Sequence, residues 1–152
     1  FPGYFQQPDL TENAFDSEEY YRTGDLFEIA GDGKPAPFYR FISRVKEVII
    51  RGGMKISPAE LESALGACPG IQDIAIVGRA DKEMGERVVA VAVSQIQPIL
   101  TRDTLIAFLK QDGFATYKIP EFLVLCEEIP RNPVGKIIRE KVRLMAREAE
   151  GL

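Results

Sequence analysis

Three short stretches of this chain hold residue types able to do chemistry. In "YYRTGDL", residues 20–26, Asp25 follows Thr-Gly at the start of an alternating run. A carboxylate there can accept two hydrogen bonds, as a sugar diol requires; a turn capped by Asp25 ahead of a strand is the plainer account. In "IIRGGMKIS", residues 49–57, Gly52 and Gly53 allow positive φ and the close approach of a thin ligand or another backbone. Arg51 and Lys55 flank them and can meet phosphates. The plainer account is a β-turn between two short strands with solvated basic side chains. In "PRNPVGKIIRE", residues 130–140, Pro130 and Pro133 fix an extended loop and Gly135 lets it turn. Lys136 then projects from the mouth of the last helix, where the helix dipole favours an acid. A lysine on such a loop can deliver charge to a developing anion; a surface lysine near a helix start is the bland alternative.

Other chemistries are excluded by what the chain lacks. There is no histidine, so the usual triads, imidazole acid–base catalysis and His-ligated metal sites are out of reach. No metal site is expected. Neither GxxxxGK[ST] nor GxGxxG occurs. The net charge of -4 argues against nucleic acid as the main partner. Cys68 and Cys126 lack CxxC spacing and read as buried free thiols, which fits a reducing cytoplasm. No apolar stretch approaches the roughly 20 residues of a membrane span, and no signal peptide is read. The opening "FPGYFQQPDL", without an initiator Met, reads as an excised fragment or a processed chain.

The elements that must position these residues fall into two styles. Residues 1–20 are turn-rich, with "LTENAF" as one or two helical turns. "DLFEIAG" (25–31) alternates like a half-buried strand and runs into Asp32-Gly33, a hairpin signal, with "PFYRFIS" (37–43) as the return. "EVIIR" (47–51) is β-branched and strand-like. Ser57-Pro58-Ala59-Glu60 then spells a capping box with proline at the first helical position. Leu61 and Leu65 face one way, and the helix stops near Gly66. "IQDIAIVG" (71–78) and "RVVAVAV" (87–93) read as strands, the second apolar on both faces and therefore central. Thr101 caps a helix closed by Gly113. "EFLVLCE" (121–127) is a third strand, and Ile138, Val142, Met145 and Ala149 form the stripe of a C-terminal amphipathic helix. From residue 57 the order is α-β-β-α-β-α, an α+β fold: a three-stranded sheet with packed helices. Residues 1–45 are β-rich and lack a core of their own; residues 46–152 form the α+β domain.

Several of these stretches together carry a resemblance. "GYFQQPDLTENAF", "YRTGDL", "SRVKEVIIRGGMKISPAELE" and "IPRNPVGKIIRE", in this order and at these separations, resemble the C-terminal part of acyl-adenylate-forming enzymes. That superfamily includes acyl-CoA synthetases, luciferases and the adenylation domains of peptide synthetases. The resemblance covers essentially the whole chain. It implies activation of a carboxylic acid with ATP and Mg2+ to an acyl-adenylate, then transfer of the acyl group to a thiol. It also implies a large N-terminal domain holding the acyl pocket, the phosphate loop and the Mg2+ site, with a small C-terminal domain that rotates on a hinge at residues 44–47 between the two half-reactions. Residues 1–45 would then be the end of the large domain.

By this resemblance Asp25 would hold the ribose hydroxyls of ATP and of the adenylate, and Arg44 the ribose or phosphates. Lys46 matches the hinge, and Lys136 the lysine that meets the carboxylate and α-phosphate during adenylation. Gly52 and Gly53, chiefly the latter, would line the path of the pantetheine arm of coenzyme A, and Lys118 in "YKIP" is a further candidate for a CoA phosphate. Ser43 departs from the family, which usually has Gly before the hinge arginine. "KEVIIRGGMKISPAELE" is most similar to acyl- or aryl-CoA synthetases. An adenylation domain loading a carrier-protein thiol, and a non-catalytic binding module, are the alternatives.

Overall fold

The computed structural model describes residues 1–30, 38–94 and 100–148. The chain divides into two compact units, Phe1–Lys46 and Glu47–Leu152.

The first unit holds a short helix, α1 (Pro8–Asn13), and two strands, β1 (Asp25–Ala30) and β2 (Phe38–Arg44). The strands pair antiparallel from Asp25↔Arg44 to Ala30↔Phe38, with a bulge between Leu26 and Phe27. Both strands thus fall where alternation predicts them; the Asp32-Gly33 turn lies outside the described residues. Among the described residues of this unit no apolar side chain is buried. Its stabilising contacts are local: Phe1 packs on Tyr4, Phe15 and Tyr21 with ring centroids 5.1–5.7 Å apart.

The second unit contains the core. β3 (Ile49–Arg51) and β4 (Met54–Ile56) form a tight hairpin around Gly52-Gly53. The glycines have φ of +54° and +80°, and positive φ at both central residues is what a primed two-residue turn requires. The plainer account of the glycine pair, a turn between two short strands, is therefore the local structure. α2 (Pro58–Leu65) follows, with Ser57 Oγ accepting from the Glu60 amide at 3.3 Å. The Glu60 carboxylate takes the Lys118 ammonium at 2.7 and 2.9 Å, a charged and therefore strong donor.

β5 (Ile71–Asp81) and β6 (Gly85–Ser94) make a long antiparallel hairpin. They run further than the apolar runs at 71–78 and 87–93 because their charged ends pair with one another and with neighbours. α3 (Arg102–Gln111) is capped by Thr101 and ends before Gly113, at φ +82°. β7 (Phe122–Leu125) pairs parallel to β6, and α4 (Arg139–Glu148) closes the described fold.

β6 is central, as its two-sided apolar run predicts. β5 lines one side; the other is shared by β3, at Arg51↔Gly85, and by β7, at residues 89–92. The expected three strands β5, β6 and β7 are thereby extended by the β3–β4 hairpin to a five-stranded sheet. Among the described residues no strand pairs with the outer edge of β7.

Alternation along β5 and β6 feeds two cores. Ile74, Ile76, Val88 and Ala90 pack with Leu61 and Leu65 of α2 and Leu105 and Leu109 of α3. Ala75, Val77, Val89 and Val91 pack with Val142 and Ala146 of α4. The stripe of α4 is centred on Val142 and Ala146; Ile137 and Met145 are partly buried against it, and Ala149 lies outside the described residues. Cys68 is a buried free thiol and Cys126 a half-buried one; burial pushes both thiols up. No helix among the described residues is long and apolar enough to cross a membrane.

Candidate functional site

In the first unit the β1–β2 register puts Asp25 opposite Arg44, nineteen positions away in sequence. Arg44 Nη1 lies 2.9 Å from Asp25 Oδ1 and donates to the Thr23 carbonyl at 3.1 Å. Gly24, at φ +73°, turns the chain into β1, and its carbonyl accepts from Val45 N at 2.8 Å. Asp25 does not cap this turn; Thr23 Oγ1 does, accepting from Asp25 N at 3.1 Å. That leaves the carboxylate held by charge alone. Asp25 Oδ1 and the buried Ser43 Oγ both lack a hydrogen-bond partner. The side chain of Asp25 keeps 22% of its surface exposed, while Oδ1 itself is buried beside the Arg44 guanidinium. Lys46 lies in the short 3-10 turn Val45–Glu47, at the last position of this unit.

In the second unit the glycine hairpin is tied to the β5–β6 turn. Gly52 N donates to Met84 O at 2.8 Å, and Ile50 N donates to the Glu86 carboxylate at 2.7 Å. A Cβ on Gly52 would come within 3.0 Å of Met84 Cε. Arg51, a possible phosphate contact by sequence, is already committed. It forks onto Glu121 at 2.8 and 3.0 Å, Arg87 donates to the same carboxylate at 2.8 Å, and Arg87 Nε bonds Asp81 at 2.6 Å. The Arg87 hydrogen bond, with the Met84 amide, holds the Asp81 carboxyl down to about 2. The Arg51 fork lowers Glu121 in the same sense. Lys118 is likewise occupied, by Glu60, with its ammonium 5.8 Å from the Phe114 ring centre.

Lys136 is exposed and lies on a turn ahead of α4, whose first residue is Arg139, rather than at the helix mouth. Asn132 makes that turn. Its Oδ1 accepts from Val134 N at 3.2 Å and Lys136 N at 2.8 Å, its carbonyl accepts from Gly135 N, and its amide donates to Lys136 O. The helix-dipole argument for Lys136 therefore lapses; the acid in the first turn is Glu140. Arg131 pairs with Asp73 at 2.8 Å and donates to Gly135 O at 2.8 Å, fixing the base of the turn.

Sequence reasoning missed Arg139. Its guanidinium forks onto Glu62, donates to Ile76 O at 3.2 Å and lies 3.4 Å from Glu47. Burial works against this charge, and the bonds to Glu62 and Glu47 outweigh it and hold the group charged. The available signal was a basic residue opening a helix, where the dipole disfavours it.

Asp25 and Arg44 are thus brought together. The glycine hairpin and Lys136 are instead held apart: their anchors Asp81 and Asp73 stand eight residues from each other along β5, roughly 25 Å at strand rise.

Residues 60–136 match the family of AMP-binding enzyme C-terminal domains, and the chain belongs to it. Among curated relatives, the medium-chain fatty-acid–CoA ligase of Escherichia coli (strain K12) is 37% identical over 138 residues, 90% of this chain and 24% of that protein. Triostin synthetase I of Streptomyces triostinicus is 36% identical over 147 residues, 95% of this chain and 26% of that protein. Among solved structures, ATP-bound MatB from Rhodopseudomonas palustris superposes with a TM-score of 0.83 at 28% identity, over 98% of this chain and 29% of that one. The chain spans about a quarter of the length of the curated relatives it matches.

Proposed function

We propose that this chain is the C-terminal portion of an ATP-dependent acyl-CoA synthetase. A carboxylic acid attacks the α-phosphorus of ATP and releases pyrophosphate; the thiol of coenzyme A then attacks the acyl carbonyl and releases AMP. Residues 1–45 end the large adenylation domain, 44–47 are the hinge, and 46–152 are the mobile domain. The division into compact units between Lys46 and Glu47 supports this reading.

The observation that carries the proposal is the separation of the two loops. Lys136, exposed and lacking a neighbouring carboxylate in its turn, supplies charge to the carboxylate and α-phosphate as negative charge builds. Gly52-Gly53, at the other end of β5, forms a wall without side chains past which a pantetheine arm can run. Two faces that far apart cannot serve one reaction centre at once, so the domain must present them in turn. Asp25 accepts the ribose hydroxyls, Arg44 orients that carboxylate and meets the ribose or phosphates, and Lys46 absorbs the rotation. Lys118 can meet a CoA phosphate only by leaving Glu60. Among the described residues no cluster of three or more carboxylates or thiols is placed to hold a metal ion. Mg2+, which would offset phosphate charge, is assigned to the preceding domain.

In the full-length enzyme Lys136→Ala should cripple carboxylate-dependent pyrophosphate exchange, by several kcal/mol on the scale of a lost transition-state charge contact. It should spare CoA-dependent consumption of a supplied acyl-adenylate. Equal loss in both half-reactions overturns the assignment. The names of the relatives span a CoA ligase and a synthetase, so the acceptor is tested by offering coenzyme A and a phosphopantetheinyl carrier protein in parallel. The cytoplasm is the compartment proposed for this chemistry.

A further inference from the structure

Each loop assigned a reaction step is tied to the sheet by a chain of ionic contacts, and the two chains are separate. At one end of β5, Asp73 takes the Arg131 fork, with Nη2 at 2.8 and 3.0 Å and Nε at 3.3 Å. Arg131 Nη1 passes the constraint on to the carbonyl of Gly135, the residue before Lys136. At the other end, Asp81 holds Arg87, and Arg87 and Arg51 share Glu121. Arg51 is the residue before Gly52.

The Arg131–Asp73 pair is a poor stabiliser. The side chains of Arg131 and Asp73 are 40% and 32% exposed, and such solvated pairs add little to stability. What a planar fork on a carboxylate does fix is direction. We infer that Asp73 and Glu121 are positioning residues for different half-reactions: Asp73 acts through Arg131 on Lys136, and Glu121 acts through Arg51 on the Gly52-Gly53 hairpin. The inference rests on the proposed function. Neither carboxylate touches substrate; each sets the aim of a loop that does, and misplacement by about 1 Å can cost as much as ~100-fold in rate.

The test is a crossed pair of variants in the full-length enzyme. Asp73→Asn is expected to lower carboxylate-dependent pyrophosphate exchange about tenfold while acyl-adenylate consumption by coenzyme A stays within about twofold. Glu121→Gln is expected to do the reverse. Asp73→Glu, which restores the carboxylate, should recover most of the exchange. Equal losses in both half-reactions at an unchanged melting temperature, or no loss in either, overturn the inference. Should a variant lower the melting temperature, Arg131→Lys or Arg51→Lys takes its place, keeping the charge and losing the fork, with the same crossed pattern required. Lys136→Ala is run alongside. If it fails to split the half-reactions, the proposed function falls and this inference with it. If it splits them and the carboxylate variants do not, only the inference falls.

Discussion

The two units of this chain solve opposite problems. In Glu47–Leu152 a sheet is covered on both faces, and side chains such as Ile76, Leu65 and Val142 have no more than 1% of their surface exposed. In Phe1–Lys46 the large apolar side chains face outward: Phe38 is 76% exposed, Tyr39 72% and Ile29 69%. Within these 152 residues a two-stranded hairpin with uncovered aromatics has little to stabilise it alone. The first unit nevertheless contains the most exacting polar pair, Asp25–Arg44, and the second contains the loops. Burial and polar pairing are thus divided: the second unit has a packed sheet behind its two loops, and in the first the strand register sets one carboxylate beside one guanidinium.

Core deletion should expose this contrast most. In this 152-residue chain Leu65→Ala is expected to cost about 2–5 kcal/mol, read as a shift of the urea midpoint, whereas Ile29→Ala should stay within about 0.5 kcal/mol. Comparable costs at both positions would erase the distinction. Ion pairs should divide the same way. Arg139→Ala, which strands a Glu62 side chain only 16% exposed, is expected to cost about 3 kcal/mol or more. The exposed Arg40–Glu28 pair of the β1–β2 hairpin should contribute no more than about 1 kcal/mol; a double-mutant cycle on each measures both.

Smaller effects sharpen the picture within the second unit. Gly53→Ala meets no atom within 4 Å, so only the positive φ is penalised, by about 1 kcal/mol. Gly52→Ala should cost more, since its Cβ also presses on Met84; equal melting shifts for the pair would contradict this. The smallest effect is that of acid. The folded Asp81 carboxyl titrates near 2, below its ordinary value, so its contribution is complete above about pH 4 and fades as pH falls toward 2. Glu121 moves in the same direction. The midpoint of the second unit should therefore drop in that window, and Arg87→Gln should flatten the drop. An equally steep drop in that variant assigns the acid response to other carboxylates.

Local chemistry was legible in the sequence where a residue and its partner are close along the chain. Ser57 and Thr101 as caps, Gly113 as a stop and the two-sided apolar run of β6 all act within one turn or one strand. The ionic anchors were not legible. Arg51 finds Glu121 seventy positions away and Arg139 finds Glu62 seventy-seven away; no periodicity encodes such a meeting, which depends on the finished sheet. Lys136 was misplaced by three residues because Asn132 closes a turn with its own side chain, a competition with the helix that apolar spacing does not register. For the roles of Asp25 and Lys136 the residues themselves left plain alternatives standing, and the expectation of those roles came from the family resemblance alone.

Among the described residues the outer edge of β7 is unpaired, which bears on how this protein behaves in concentrated solution. An open strand edge is a template for another chain, and recruitment of a neighbour's strand is a common beginning of insoluble aggregates. Here the template is only four residues long, Phe122–Leu125. Pro120 stands just before it and Glu127-Glu128 just after. Proline offers no amide to extend the ladder, and a pair of negative charges repels its own copy. A strand of four residues flanked in this way offers a neighbouring chain little edge to pair with.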